Sequence, residues 1–191
     1  YPIDRIIENQ IAVPDYEVGD RVVGNGSGSV LKIRDDGTID LTTEGTKPLN
    51  TDHQSASAYL DSAQTITANS EQRVEFNAVS HNSEGLYDTS TYETVLLNDG
   101  KYEIKSTVEI AAAGQGNTYT LRIYHNSTVI KRSYRQSSVN EPLTLRVSTN
   151  EMMSAGNSVY VTLENGSGKD RTLNGDDIGT EFDIRRIGPA K

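Results

Sequence analysis

Three histidines, His53, His81 and His125, and two aspartate doublets, Asp35-Asp36 and Asp176-Asp177, are the residues of this chain best suited to chemistry. A metal site or a catalytic triad needs imidazoles that converge with carboxylates. The histidines lie far apart in sequence, show no His-x-x-x-His spacing and fall on expected linker or loop positions, where a solvated imidazole is the plainer reading. Asp170, Asn174, Asp176 and Asp177 share one stretch with Gly166, Gly168 and Gly175. Oxygen ligands on a glycine-rich loop suit Ca²⁺, which makes Asp170, Asp176 and Asp177 candidate metal ligands and calcium the one cofactor to consider. The twelve-residue pattern of an EF-hand is missing, and a solvated hairpin loop accounts for the same residues.

Nucleophilic chemistry finds less support. The chain has no cysteine, which removes thiol nucleophiles, disulfides and cysteine zinc sites. Gly26-Ser27-Gly28-Ser29 lacks the strand-to-helix turn of a nucleophile elbow, and Gly24 to Gly28 lacks the lysine and following helix of a phosphate loop. No catalytic residue is assigned, and the expectation is a non-enzyme. Asn25, Asn126 and Asn165 each have Ser two positions on and are candidate glycosylation acceptors on loops.

Charge narrows the partners. Acids outnumber bases by 27 to 18, a formal net charge of -9. Nucleic-acid binding needs clustered Lys and Arg that displace counterions, and only the pairs Lys131-Arg132 and Arg185-Arg186 occur, each on an expected strand. Nucleic acid and membrane insertion are therefore not expected, and no run approaches the ~20 apolar residues of a membrane helix.

The elements that must position these residues read as strands. Tyr102, Ile104, Val108 and Ile110 alternate with Lys101, Glu103, Lys105 and Glu109. The same period of two runs through Tyr119-Leu121-Ile123, Leu143-Leu145-Val147, Val159-Val161-Leu163 and Phe182-Ile184, with turn signals such as Asn98-Asp99-Gly100 and Ala155-Gly156-Asn157 between them. Short strands at near-regular spacing predict an all-β sandwich. Ahead of it, Val30-Leu31-Lys32-Ile33-Arg34, the turn Asp35-Asp36-Gly37-Thr38 and Ile39-Asp40-Leu41 predict a hairpin too small to be stable alone. The expected organisation is an N-terminal β segment over residues 1–46, a polar linker over 47–57 and a β-sandwich over 58–191. Hydrophobic residues are only 34% of the chain, so burial completed against other copies is expected.

The second part resembles the TNF-like superfamily of jelly rolls, to which the globular heads of the complement first component also belong. The resemblance runs from about Gln64 to Ile187. It rests on Val74-Glu75-Phe76-Asn77 followed by Tyr87-Asp88-Thr89-Ser90-Thr91, on Gly100-Lys101-Tyr102-Glu103-Ile104, on Leu121-Arg122-Ile123-Tyr124-His125-Asn126, on Gly156-Asn157-Ser158-Val159-Tyr160-Val161 and on the closing Thr180-Glu181-Phe182-Asp183-Ile184.

The resemblance implies a jelly-roll β-sandwich and a homotrimer closed around a three-fold axis, with Tyr102, Tyr119 and Tyr160 as candidates for the trimer interface. By analogy with trimeric domains on viral and phage fibres, the expected function is structural: a virion surface decoration, turret, spike or fibre tip, held to capsid or other virion proteins by the N-terminal segment and facing the extracellular medium. Contact with a host surface glycan or receptor is compatible with this placement. The alternative is a secreted or cell-surface lectin-like module, with Tyr87, Tyr92 or Tyr134 as the stacking aromatic.

Overall fold

Residues that alternate between apolar and polar can satisfy both solvents only as strands with one face covered. The computed structural model describes residues 21–24, 29–33, 39–43 and 47–48 as strands, and residues 54–176 and 179–189 throughout. His53, Asp177 and the turn Asp35 to Thr38 lie outside the described residues. The chain divides into two compact units, Tyr1–Asp52 and His53–Lys191.

The first unit contains an antiparallel sheet of β1 (Arg21–Gly24), β2 (Ser29–Ile33), β3 (Ile39–Thr43) and β4 (Lys47–Pro48) in sequential order. The expected hairpin is its β2–β3 pair, with Val30 opposite Thr42 and Ile33 opposite Ile39. Lys47 and Pro48, expected in a linker, pair with Thr43 and Thr42. Proline is tolerated there because β4, among the described residues, is an edge strand paired with β3 alone.

The second unit begins with β5 (Ser55–Tyr59), β6 (Gln64–Ile66), β7 (Ser70–Arg73) and β8 (Ala78–Asn82). A 3-10 turn over Ser83–Gly85 leads to β9 (Tyr87–Asp88) and β10 (Glu93–Val95). The long strands follow: β11 (Gly100–Ile110), β12 (Thr118–His125), β13 (Thr128–Gln136), β14 (Leu143–Met153) and β15 (Ser158–Asn165). β16 (Arg171–Leu173) and β17 (Glu181–Gly188) close the unit. β5 starts inside the stretch expected as linker. Its Ser-Ala-Ser-Ala alternates polar with small side chains, too faint a pattern to stand out from a polar loop.

Two antiparallel sheets face each other. One runs β13-β12-β15-β10-β9, with β7 also paired to β15. The other runs β6-β16-β11-β17-β5-β8, with β14 also paired to β11. Their inward faces carry the residues whose alternation marks the strands: Ile104, Val108 and Ile110 of β11, Leu121 and Ile123 of β12, Val159, Val161 and Leu163 of β15, and Phe182 and Ile184 of β17. Phe182 sits at the aromatic centre, with ring centroids 5.8 Å from both Phe76 and Tyr87. Tyr87 is buried and its hydroxyl donates to the Phe76 carbonyl at 3.0 Å. β12 turns directly into β13 through Asn126, whose φ of 54° lies in the left-handed region that asparagine tolerates.

Truncating the central ring leaves a cavity between two rigid sheets. Phe182→Ala is therefore expected to cost about 3–5 kcal/mol of folding free energy, measured by urea denaturation. A loss below about 1 kcal/mol would mean that the sheets close over the missing ring.

Candidate functional site

Two of the three tyrosines expected at a trimer interface belong instead to the interior of a single chain. Tyr102 is 0% and Tyr119 1% exposed. The Tyr102 hydroxyl lies 2.6 Å from Gln54 Oε1 and 2.7 Å from the Asn98 carbonyl, which share its single proton, and the Tyr119 hydroxyl donates to the Ala113 carbonyl. Both are in phase with the inward residues of their strands and have no area left to offer another copy. Tyr160 is out of phase with Val159 and Val161 and stands on the outward face.

Around Tyr160 the outward face of the β12–β15–β7 layer is organised. Tyr124 lies directly opposite Tyr160, and Thr162 lies between Arg122 and Arg73, in the register of adjacent strands. The Tyr124 and Tyr160 rings stack at 4.9 Å with 6° between their planes, and the Arg73 guanidinium lies 3.9 Å from the Tyr160 centroid. Arg73 comes from the strand on the far side of β15 from Tyr124, so both faces of the Tyr160 ring are covered. Arg73 also donates to the Thr91 carbonyl at 2.6 Å and pairs with Glu93 at 3.4 Å.

Beside this stack, Arg122 bridges Glu71 at 2.7 Å and Glu164 at 2.5 Å. Glu71 further accepts from the Tyr124 hydroxyl at 2.9 Å and the Thr162 hydroxyl at 2.5 Å. Burial alone would raise the Glu71 carboxyl. The hydrogen bonds from Thr162 and Tyr124, with the adjacent Arg122 charge, outweigh it and hold the group below the usual carboxylate range. Desolvation works to lower the Arg122 guanidinium, and the hydrogen bonds and charges of Glu164 and Glu71 outweigh it and hold the group more firmly protonated. The result is a connected surface cluster of charges and aromatic rings on β7, β12 and β15. Sequence reasoning missed Glu71, Arg73, Arg122 and Glu164. Glu71 and Arg73 lie on β7, Ser-Glu-Gln-Arg, which has no apolar alternation and pairs with residues some ninety positions away.

The other expected sites are placed as follows. His81 lies on β8 and His125 ends β12, so neither is a loop residue. His81 Nε2 is 2.9 Å from Ser55 Oγ in a shallow groove that also holds Ser57, Glu103, Lys105, Asp183 and Arg185. Ser57 stands between His81 and Asp183 in the strand register. Among the described residues no carboxylate hydrogen-bonds to His81, so the pair lacks the third group that orients a catalytic imidazole. His125 Nε2 is 2.8 Å from Asn157 Oδ1.

In the proposed calcium loop, Asp170 accepts from the Ala68 amide at 2.9 Å and Asp176 from the Gly179 amide. A Cβ at Gly175 would collide with the Ser62–Ala63 backbone, so close approach of that turn explains the glycine. Among the described residues no three His, Cys, Asp or Glu side chains are grouped to hold a metal ion.

Asn165 is not a glycan acceptor in this fold. It is 0% exposed. Its amide nitrogen directs two hydrogens at the carbonyls of Ile66, Thr67 and Lys169, at 3.1, 3.2 and 2.9 Å with one hydrogen shared, and its oxygen accepts from the Ser167 amide at 3.0 Å. Asn126 is exposed at its turn, and Asn25 lies outside the described residues.

No protein-family model and no curated protein sequence matches this chain. Solved structures do. The Eiger TNF of S. frugiperda superposes with a TM-score of 0.56 at 10% identity over 73% of this chain and 95% of that one. Murine APRIL at pH 5.0 gives 0.56 at 10% identity over 71% and 99%, and murine APRIL at pH 8.5 gives 0.55 at 11% identity over the same shares. The second unit is a TNF-like jelly roll.

The depressed Glu71 carboxyl has a consequence for acid stability. Glu71 ordinarily titrates at 4.5 and is held lower when folded, so its contribution is complete above that pH and is lost as pH falls through the folded value. Glu71→Gln is expected to lower stability at neutral pH by about 1 kcal/mol, a figure limited by its partial exposure. It should also make the decline of stability below pH 4.5 shallower than in the parent. Urea titrations at a series of pH values test this. Parallel acid limbs would show that Glu71 does not couple to folding.

Proposed function

We propose that this chain is a non-enzymatic head-and-dock module. The TNF-like unit forms a homotrimeric head, and residues 1–46 attach it to a larger particle, for which a virion surface is the foremost candidate. On this reading the protein works outside the cell as a decoration, turret, spike or fibre tip. The observation that carries it is the match of the second unit to nearly the whole length of TNF-like chains, with a separate β-sheet unit in front. Such a chain has one complete module to display and a second module free to anchor it.

The outward face of the sheet holding β11, β17 and β5 supports the homo-oligomer. Glu103 contacts both Lys105 at 3.0 Å and Arg185 at 2.5 Å, and Asp183 stands opposite Lys105 in register. Charges of both signs interleave there, so two copies can meet with opposite charges facing. The half-buried Tyr59 stands on the neighbouring β5 at the same face. An interface of this kind is ionic, and salt weakens it.

Light scattering on the full chain tests the reading. A mass three times 20.9 kDa that dissociates as salt rises is expected. A monomer at every concentration would overturn the trimer. Incorporation of the full chain, but not of one lacking residues 1–46, into purified particles would support the dock.

A further inference from the structure

β13 is a free edge. Among the described residues it pairs only with β12, and its nine residues, Thr128–Gln136, are mostly exposed. An edge strand presents alternate unpaired backbone N–H and C=O groups, which template the pairing of another strand. Three cations lie on it, Lys131, Arg132 and Arg135, with no acid in the strand, in a chain of net charge -9.

The register sorts these side chains. Lys131, Ser133 and Arg135 stand opposite Ile123, Leu121 and Tyr119, so they share the inward face at the sheet margin. Arg132 and Tyr134 stand opposite Arg122 and Thr120 and share the outward face, where Tyr134 is 62% exposed. A shallow groove lined by Arg122, Val129, Ile130, Lys131 and Arg132 runs alongside. None of Lys131, Arg132 and Arg135 makes an ion pair among the described residues, whereas Arg122 on the neighbouring strand makes two.

Inward-pointing cations on an edge strand are a known defence against indiscriminate pairing. Two β13 edges from separate copies would bring cations against cations, which destabilises a cross-strand pair. The same arrangement selects for its complement. We propose that β13 is a docking strand for an extended acidic segment of a partner protein, which adds to the sheet through its backbone. Its acids would face Lys131 and Arg135, and its alternate apolar residues would lie beside Tyr134 and Val129. The backbone ladder favours a polypeptide over a nucleic acid, which has no strand to add. What draws an acidic segment is local: Lys131, Arg132 and Arg135 lie together on β13 with no acid in the strand.

The probe is a fluorescein-labelled nine-residue peptide of alternating Glu and Val, read by anisotropy against the full chain. Binding that weakens with salt is expected, with amide shifts in β13 by NMR. Lys131→Glu with Arg135→Glu, two exposed positions, should weaken it about tenfold or more, since each exposed charge contact is worth up to about 1 kcal/mol and reversal adds repulsion. N-methylation of alternate peptide amides, which leaves the protein untouched, should abolish it. The proposal is overturned if the Glu-Val peptide does not bind. It is equally overturned if the N-methylated peptide, a Lys-Val peptide or a single-stranded DNA oligonucleotide binds as tightly, because the edge would then be an unselective charged surface.

Discussion

The scarcity of apolar residues governs this molecule. With 34% hydrophobic residues, nearly every large one on β11, β12, β15 and β17 is committed to closing the two sheets on each other. Even tyrosines are drawn in, and Tyr102 and Tyr119 fill the interior because there is little else to do so. Their hydroxyls are tolerated only because Gln54, Asn98 and Ala113 supply acceptors. Among the described residues the large apolar side chains left partly outside include Val95, Leu97, Val129 and Met152, and the outer faces between them are organised by charge, hydrogen bonds and aromatic rings.

That constraint explains how the outer faces are built. On the β12–β15–β7 layer, Arg73 and Tyr124 clasp Tyr160 while Arg122 is shared by two carboxylates. Each long side chain is immobilised by its neighbours, so little rotamer freedom remains to be lost when a partner arrives. On the opposite sheet Glu103, Lys105, Asp183 and Arg185 interleave without an aromatic frame.

The fold was legible because a two-sheet sandwich writes its period into each strand, and the expected inward residues of β11, β12, β15 and β17 are the observed ones. The same signal held the answer for the tyrosines. Tyr102 is in phase with Ile104 and Tyr119 with Leu121, both inward, while Tyr160 is out of phase with Val161; weighing residue type over phase put the first two at an interface. The Glu71–Arg122 cluster was not legible, because short polar strands gain their place from pairing across long stretches of chain. Asn165 shows the same limit. Its triplet reads as a surface acceptor, yet its position at the end of β15 makes it the polar pin between the loops at residues 66–67 and 167–169.

That pin also stops a chemical clock. Asn165 is followed by Gly166, the neighbour that least hinders attack of the next backbone nitrogen on an asparagine side chain, the step that begins deamidation. In the fold the Gly166 N–H is engaged by the Thr118 carbonyl at 2.9 Å, and the Asn165 amide is fixed by four hydrogen bonds that point it elsewhere. Ring closure has no geometry available while the sheets are intact. A chain that opens for long enough ages at this dipeptide, and the resulting carboxylate has no hydrogen to give to three waiting carbonyls. The longer the protein stays unfolded, the less of it can return.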